Sequence, residues 1–354
     1  MKSRFLDLRN CHELLPKGNG LPLIGQLEEC LKGINDSKGS LNGSIEKLIS
    51  QNEKTRGIKI GWKRVCSSPI EIEQDSNIEN KSVHTSALER RFPGPALYHV
   101  FLGYKNGMAH KIIIPLQFLL KGWGDAAMGH QCYIHTISDN FTHLHSLEEL
   151  FIRNMTDSNN FYYVGITGRN WLQRLDEHIR EMLQGNRRSF YKVWREKTGR
   201  EDVFFSSFLR DINLTFQEAM NWEEKTVDKI ASDQYGLNMI PGGFKGLRLL
   251  HKCKIINNMN VSLEERDKAI NEYIRTNPRK GIPNPFIAEL WKDDEFYIKV
   301  IGAREKTLSP YKVRKIRELS EKGKSVIEIR KEIVAINDLQ VKNVILGKTY
   351  KRIK

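Results

Sequence analysis

Between Phe161 and His178 the chain reads Phe-Tyr-Tyr-Val-Gly-Ile-Thr-Gly-Arg-Asn-Trp-Leu-Gln-Arg-Leu-Asp-Glu-His. A β-rich run stops at Gly165, and an amphipathic helix begins near Asn170. Arg174 and His178 lie one helical turn apart, so both point the same way. An arginine and a histidine beside the strand-end Tyr163 are well suited to holding a phosphodiester and attacking it. The guanidinium offers a planar fork matched to phosphate oxygens. Taken singly, each residue has a plainer explanation. Tyr163 could be a core aromatic, Arg174 and Glu177 solvated helix charges, and His178 a structural histidine. The grouping carries the signal.

The elements that must position these residues form an alternating series. Cys132 to Ile137 is a short strand, followed by a polar, helix-prone insert from Ser138 to about Asn159. Phe161 to Ile166 is the next strand. Trp171 to Leu183 is a helix whose apolar face carries Leu172, Leu175, Ile179 and Met182. Phe190 to Arg195 starts another helix, and Val203 to Leu209 is a third strand. Phe216 to Ser232 is a helix opening after Thr215 as N-cap. Tyr235-Gly-Leu-Asn-Met-Ile-Pro-Gly-Gly243 ends a small α/β domain.

Residues 130–243 resemble a GIY-YIG nuclease domain. The resemblance rests on an ordered set: Tyr163-Val-Gly, Arg174, His178, then Glu218-Ala-Met-Asn-Trp-Glu223, then Gly236-Leu-Asn238. It covers about a third of the chain. It implies a metal-binding glutamate on the later helix and an asparagine about fifteen positions beyond. Asn238 stands fifteen after Glu223, and Val227 and Ile230 give the apolar spacing, so Glu223 is preferred over Glu224. The resemblance further implies that Glu223 holds Mg²⁺ or Mn²⁺, largely through waters. Arg174 would bind the scissile phosphate. Tyr133 or Tyr163 would orient or deprotonate the attacking water with His178 as proton partner, and Asn238 would fix local geometry or contact phosphate. The pattern departs from the family in places. The first motif appears as Gln131-Cys132-Tyr133, and thirty residues separate Tyr133 from Tyr163. Where the family often carries a basic residue just after the second motif, this chain has Ile166, with Arg169 as a possible substitute.

The formal net charge is +14, with 39% hydrophobic and 28% charged residues, which excludes a disordered chain and points to a polyanionic partner. Residues 244–354 hold 26 Lys+Arg against 14 Asp+Glu, whereas the preceding 243 hold 31 against 29. Nearly all the excess therefore lies in the last third, as expected of a DNA-binding segment. The five cysteines (Cys11, Cys30, Cys66, Cys132, Cys253) are scattered, with no CxxC pair. A zinc site or disulfide framework is not expected, and a cytoplasmic setting is. The N-terminus is too charged for a signal peptide, and no apolar run approaches the roughly 20 residues of a membrane span.

The last third has two sets of short helices. Ser309-Pro310 opens a helix over Tyr311 to Lys322 that ends at Gly323. Val326 to Val334 and Asp338 to Leu346 follow, the latter ending at Gly347. Glu264 to Ile274, Pro285 to Trp291 and Asp294 to Ile301 form a weaker copy. This tail resembles the helix-turn-helix repeats appended to intron- and phage-encoded endonucleases. The resemblance implies that Leu339 to Leu346 reads DNA through Gln340, Lys342 and Asn343, while Lys348, Lys351, Arg352 and Lys354 contact phosphates.

Before residue 126 the sequence is less telling. Leu23 to Leu31 and Leu41 to Leu48 have helical spacing, Gly57 to Val65 alternates like a strand, and Glu73 to Glu89 reads as loop. Leu97 to Gly103 and Met108 to Pro115 read as a hairpin around Asn106-Gly107. The expected fold class is α+β. It comprises an unassigned α/β region (1–125), a GIY-YIG-like nuclease domain (126–246), a first helix-turn-helix unit (247–306) and a basic second one (307–354). The expected function is a metal-dependent DNA endonuclease of phage or mobile-element type; one active site cuts one strand, so a duplex break would need a pair of molecules or two visits. The rivals are a DNA-binding regulator with an inactive nuclease domain and a structure-specific or RNA-directed nuclease.

Overall fold

The computed structural model describes residues 2–17, 20–77, 82–105, 108–138, 160–200, 203–231, 236–277, 294–295, 297–298 and 307–353. The chain divides into two compact units, Met1–Ile282 and Pro283–Lys354.

The first unit is a mixed α/β structure built on a seven-stranded sheet of order β2-β1-β3-β4-β7-β5-β6. Its strands are β1 (Ser67–Asn77), β2 (Ser82–Pro95), β3 (Leu97–Lys105), β4 (Met108–Pro115), β5 (His130–Ser138), β6 (Asn160–Thr167) and β7 (Phe204–Leu214). The pairs β1/β3 and β4/β7 are parallel and the others antiparallel. β4 and β5 are buried almost throughout. The sheet runs without interruption from the N-terminal strands into the strands that carry Tyr133 and Tyr163.

Helices α1 (Leu8–Leu14), α2 (Gly20–Asn35) and α3 (Ser44–Thr55) bury Leu14, Leu27 and Leu48 in the main core, together with Ile72, Tyr98 and Ile112 of the sheet. On α4 (Trp171–Leu183) and α5 (Ser189–Lys197), Leu175, Met182, Phe190 and Trp194 join the same core. On α6 (Phe216–Ala231), Val227 and Ile230 pack on Ile134, Tyr162 and Val164. A further cluster joins α6 to α7 (Gly243–Lys252) and α8 (Leu263–Thr276) through Met220, Leu247, Leu250, Ala269 and Tyr273.

Three sequence expectations are corrected. Gly57 to Val65 is no strand: Gly57 and Gly61 take positive φ of 79° and 58°, and Gly61–Arg64 is a 3₁₀ turn. Glu73 to Glu89 is no loop but lies largely in β1 and β2, whose register pairs Glu73 with Ser86 and Gln74 with Thr85. Glu264 to Ile274, grouped with a first helix-turn-helix unit, lies in α8, which packs within the first unit. The Asn106-Gly107 turn, the insert over 139–159 and the Pro285 to Trp291 helix lie outside the described residues.

The second unit contains α9 (Pro310–Glu321), α10 (Val326–Ile333) and α11 (Asp338–Ile345), packed through Val313, Ile316, Ile329, Val341 and Val344. Each start is capped: Ser309 accepts from the Lys312 N–H, Ser325 and Glu328 form a reciprocal capping box, and Asn337 accepts from the Gln340 N–H. The Tyr350 hydroxyl accepts the Leu308 N–H at 2.9 Å and closes the unit. No helix among the described residues is long and apolar enough to cross a membrane.

Candidate active site

Tyr133 on β5 and Tyr163 on β6 share a sheet face, because β5 pairs antiparallel with β6 and sets Tyr133 opposite Gly165 and His135 opposite Tyr163. A side chain at Gly165 would run into the Tyr133 phenol, so glycine there lets the ring lie across β6. Helix α4 starts where it does because Asn170 accepts the N–H groups of Leu172 and Gln173. Gln131 also accepts the Trp171 N–H at 2.8 Å, tying the helix to β5. One turn in, Arg174 and His178 both turn inward and are buried.

His178 Nε2 lies 3.0 Å from the Tyr133 hydroxyl, and its Nδ1 lies 2.7 Å from the Tyr191 hydroxyl. A neutral imidazole donates at one nitrogen and accepts at the other, so the three groups form a chain for one proton. Burial pushes the Tyr133 phenol well above its ordinary value of 10, although Arg174 pulls it the other way.

Glu223, on α6, is 5% exposed, and its Oε2 accepts the Gly243 N–H at 2.7 Å. Gly243 sits at φ 54°, and a Cβ there would collide with the Met220 carbonyl. Only glycine lets α7 approach α6 closely enough for that bond. Glu224 faces elsewhere, accepting the Lys245 N–H and pairing with Arg248. Asn238 commits its whole amide to β6, accepting the Val164 N–H at 2.9 Å and donating to the Val164 carbonyl at 2.8 Å. It thereby fixes local geometry.

Tyr133, Tyr163, Arg174, Glu223 and Asn238 line one cavity of about 50 Å³. His178 supports it from behind Tyr133. Three further lining residues carry no signal of their own in the sequence. Arg188, just before α5, donates from Nη2 to the Asp267 carbonyl at 3.1 Å and from Nε to Asn271 at 2.8 Å. From α8, Arg266 places Nη2 2.7 Å from Glu223. Its neighbour Asp267 accepts from Arg174 Nη2 at 2.7 Å and lies 3.9 Å from Arg188 Nη1. Arg174 also donates to Glu177 at 2.7 Å, and Glu177 holds Arg169 at 2.8 Å. A wider hollow of about 560 Å³ adjoins on the Arg174 side, lined by His130, Arg169, Phe216 and Asp267. Chemically, the arrangement gathers three guanidinium groups (Arg174, Arg188, Arg266) and two carboxylates (Glu223, Asp267) beside a tyrosine–histidine proton path.

The buried histidines set a pH dependence. Burial holds His178 well below its ordinary 6.5, and Arg174, His135 and Arg188 push the same way. His135, stacked on Tyr163 and Phe190, is pushed down to about 3 by burial and by Arg174. Each folded pKa lies below its unfolded value. As pH falls through about 6.5, the unfolded chain therefore gains protons that the folded chain cannot, and stability drops, for His135 until about 3. The expected slope is about 1.4 kcal/mol per pH unit for each such ring. Buried Asp211, raised to about 7, works in the opposite sense, so the clean readout is a difference: urea unfolding at pH 7 and 5.5 should show His135→Phe losing about 1 kcal/mol less stability than wild type over that interval. Equal losses in the two proteins would mean that this ring is not held neutral.

Away from this site, Glu71, Glu73 and His99 present ligand atoms within 4.8 Å of one another and could hold a metal ion. Arg90 and Lys111 already pair with Glu71 and Glu73, so the group is balanced without one.

In the second unit, Lys342, Lys348 and Lys351 are exposed, and Asn343 is half-buried. Two of the expected DNA contacts are engaged within the unit. Gln340 Oε1 accepts the Ile336 N–H at 3.1 Å, and Arg352 pairs with Asp294 at 2.7 Å over the Tyr297 ring. Lys354 lies outside the described residues.

Compared with protein-family models, curated proteins and solved structures, the chain matches none of them.

Proposed function

We propose that the chain is a metal-dependent DNA endonuclease of the GIY-YIG type, guided to its target by the basic three-helix unit. One observation carries the reading. Tyr133, Tyr163, Arg174, Glu223 and Asn238, spread over more than a hundred residues, line a single cavity, with His178 bonded to Tyr133. Each has a natural part in phosphodiester hydrolysis. Arg174 and Arg188 bind the scissile phosphate and stabilise charge gathering on it. Tyr133 orients the attacking water and passes a proton towards His178. Asn238, bonded to Val164, keeps the middle of β6, and so Tyr163, in place.

A hard divalent cation would be held by Glu223, which lines the cavity, in place of the Arg266 guanidinium that pairs with it at 2.7 Å. Mg²⁺ or Mn²⁺ held there would supply a Lewis acid for the phosphate charge. In the second unit, exposed Lys342, Lys348 and Lys351 supply salt-dependent phosphate contacts.

The test is cleavage of supercoiled plasmid by the full chain with Mg²⁺, with and without chelator. Relaxed or linear product that chelator abolishes is the expected result. A DNA-binding regulator with a silent centre is the second reading. It is favoured by the Arg266–Glu223 and Asp267–Arg174 pairs, which occupy the groups a nuclease needs. Tight DNA binding with no strand breaks under any metal condition would decide for it.

A further inference from the structure

Two consecutive residues of α8 reach the two charged ends of the cavity with opposite signs. Arg266 sets a cation against Glu223 at 2.7 Å, and Asp267 sets an anion against Arg174 at 2.7 Å, with Arg188 Nη1 3.9 Å away. On the nuclease reading, on which this inference rests, Glu223 takes a metal cation and the arginines take a phosphate. We propose that α8 is a built-in substrate mimic: Arg266 stands in for the metal and Asp267 for the scissile phosphate, so the site works only after α8 withdraws.

The sign pattern separates this from an ordinary structural salt bridge. A helix that merely packed on α6 and α7 could use its apolar face, Ala269 and Tyr273, without covering either charged end. Here both polar contacts fall on the groups the reaction would need, and the space left is about 50 Å³, room for little beyond ordered water. Asp267 also pushes the Tyr133 phenol upward, adding to burial, which makes the closed state a poor base.

Residues 253–262 link α7 to α8; Cys253, Lys254, Asn257 and Asn258 are exposed, while Ile256 is buried in the cluster that joins α6, α7 and α8. Lys254 adopts a left-handed φ of 57°, a turn that few side chains favour. The α8 helix carries its own start signal, a Ser262–Glu265 capping box, so it can persist as a helix when undocked. Release is then a competition. Metal and polyanion together displace Arg266 and Asp267 by binding only the open form.

The experiment uses the full chain as wild type, Arg266→Gln, Asp267→Asn and Glu223→Gln. Mn²⁺ binding is read by its electron paramagnetic resonance signal, and plasmid cleavage is followed at limiting Mn²⁺. Arg266→Gln should bind Mn²⁺ about tenfold more tightly than wild type, the gain expected when the open form is populated at roughly a tenth or less. Asp267→Asn, at a side chain 37% exposed and so gentler on the fold, should shift both binding and cleavage in the same direction. Amide exchange over 262–276 should speed up when wild type receives Mn²⁺ and DNA together. The proposal is overturned if wild type binds Mn²⁺ through Glu223 and cuts DNA while both variants bind no more tightly and cut no faster. If neither wild type nor Arg266→Gln nor Asp267→Asn binds more Mn²⁺ than Glu223→Gln or cuts DNA, the nuclease reading fails and takes the proposal with it.

Discussion

Glu223→Gln is expected to lower Mg²⁺-supported cleavage by about 10³-fold and, independently, to weaken the folded state. The first effect follows from charge. Glutamine keeps the shape but cannot neutralise a hard cation, and losing one preorganised electrostatic partner costs about 10²–10³ in rate in comparable sites. The second effect comes from the groups around the carboxylate. Oε2 accepts the Gly243 N–H and pairs with Arg266, whose side chain is 8% exposed. Glutamine would leave that guanidinium buried without a counter-charge, and breaking a buried pair from one side costs about 3–5 kcal/mol. Arg266→Gln in the same background should restore part of the stability but none of the cleavage. Cleavage kinetics and urea unfolding on the two proteins separate the effects. A Glu223→Gln protein that cuts DNA at the wild-type rate would remove this residue from the metal site.

Gly243→Ala is expected to destabilise the first unit by about 3 kcal/mol, large for the addition of one methyl group. Alanine at φ 54° carries strain of about 1–2 kcal/mol. The larger part is steric. The new Cβ meets the Met220 carbonyl and the Glu224 side chain, so α7 must move away from α6. That movement stretches the Gly243 N–H bond to Glu223 and loosens the packing of Met220 against Leu247 and Leu250. Alanine at Gly323, also at positive φ (79°) but with open space around it, is the control and should cost only the backbone strain, in the second unit. Urea unfolding of the two variants makes the comparison. Equal, small losses in both would mean that α7 is free to shift.

The residues most legible in the sequence are those with local rules behind them. Helix α4 begins and ends where its Asn170 cap and apolar stripe place it, and the four-residue step puts Arg174 and His178 together inside. The three helices of the second unit are legible for the same reason, since Ser309, Ser325 and Asn337 are all residues with a capping side chain. Strands β1 and β2 are not. Gln74 and Glu71 are buried polar residues on β1, and Leu88 lies exposed on β2, so the alternation that marks a strand is blurred. The reverse error comes from Ile58 and Ile60, which alternate in sequence but are both exposed. Within the site, Arg188 has no periodic signal, being a lone basic residue ahead of a helix. Arg266 and Asp267 sit in Leu-Glu-Glu-Arg-Asp-Lys, which has the composition of a solvated helix face. Only tertiary placement of α8 tells their burial from exposure.

The strand order bears on how the proposed nuclease site could be transplanted. β7 is bonded on one side to β5 and on the other to β4, with Phe204–Phe208 opposite Ala109–Ile113. A graft that began at residue 126 would carry every site side chain yet bare one flank of β7. Unpaired N–H and C=O groups along an apolar strand recruit other chains and aggregate. The smallest portable piece is therefore far larger than its chemistry requires. Anyone fusing it to another domain would have to take the strands back to β1 and the helices that cover them, and make the splice after α8.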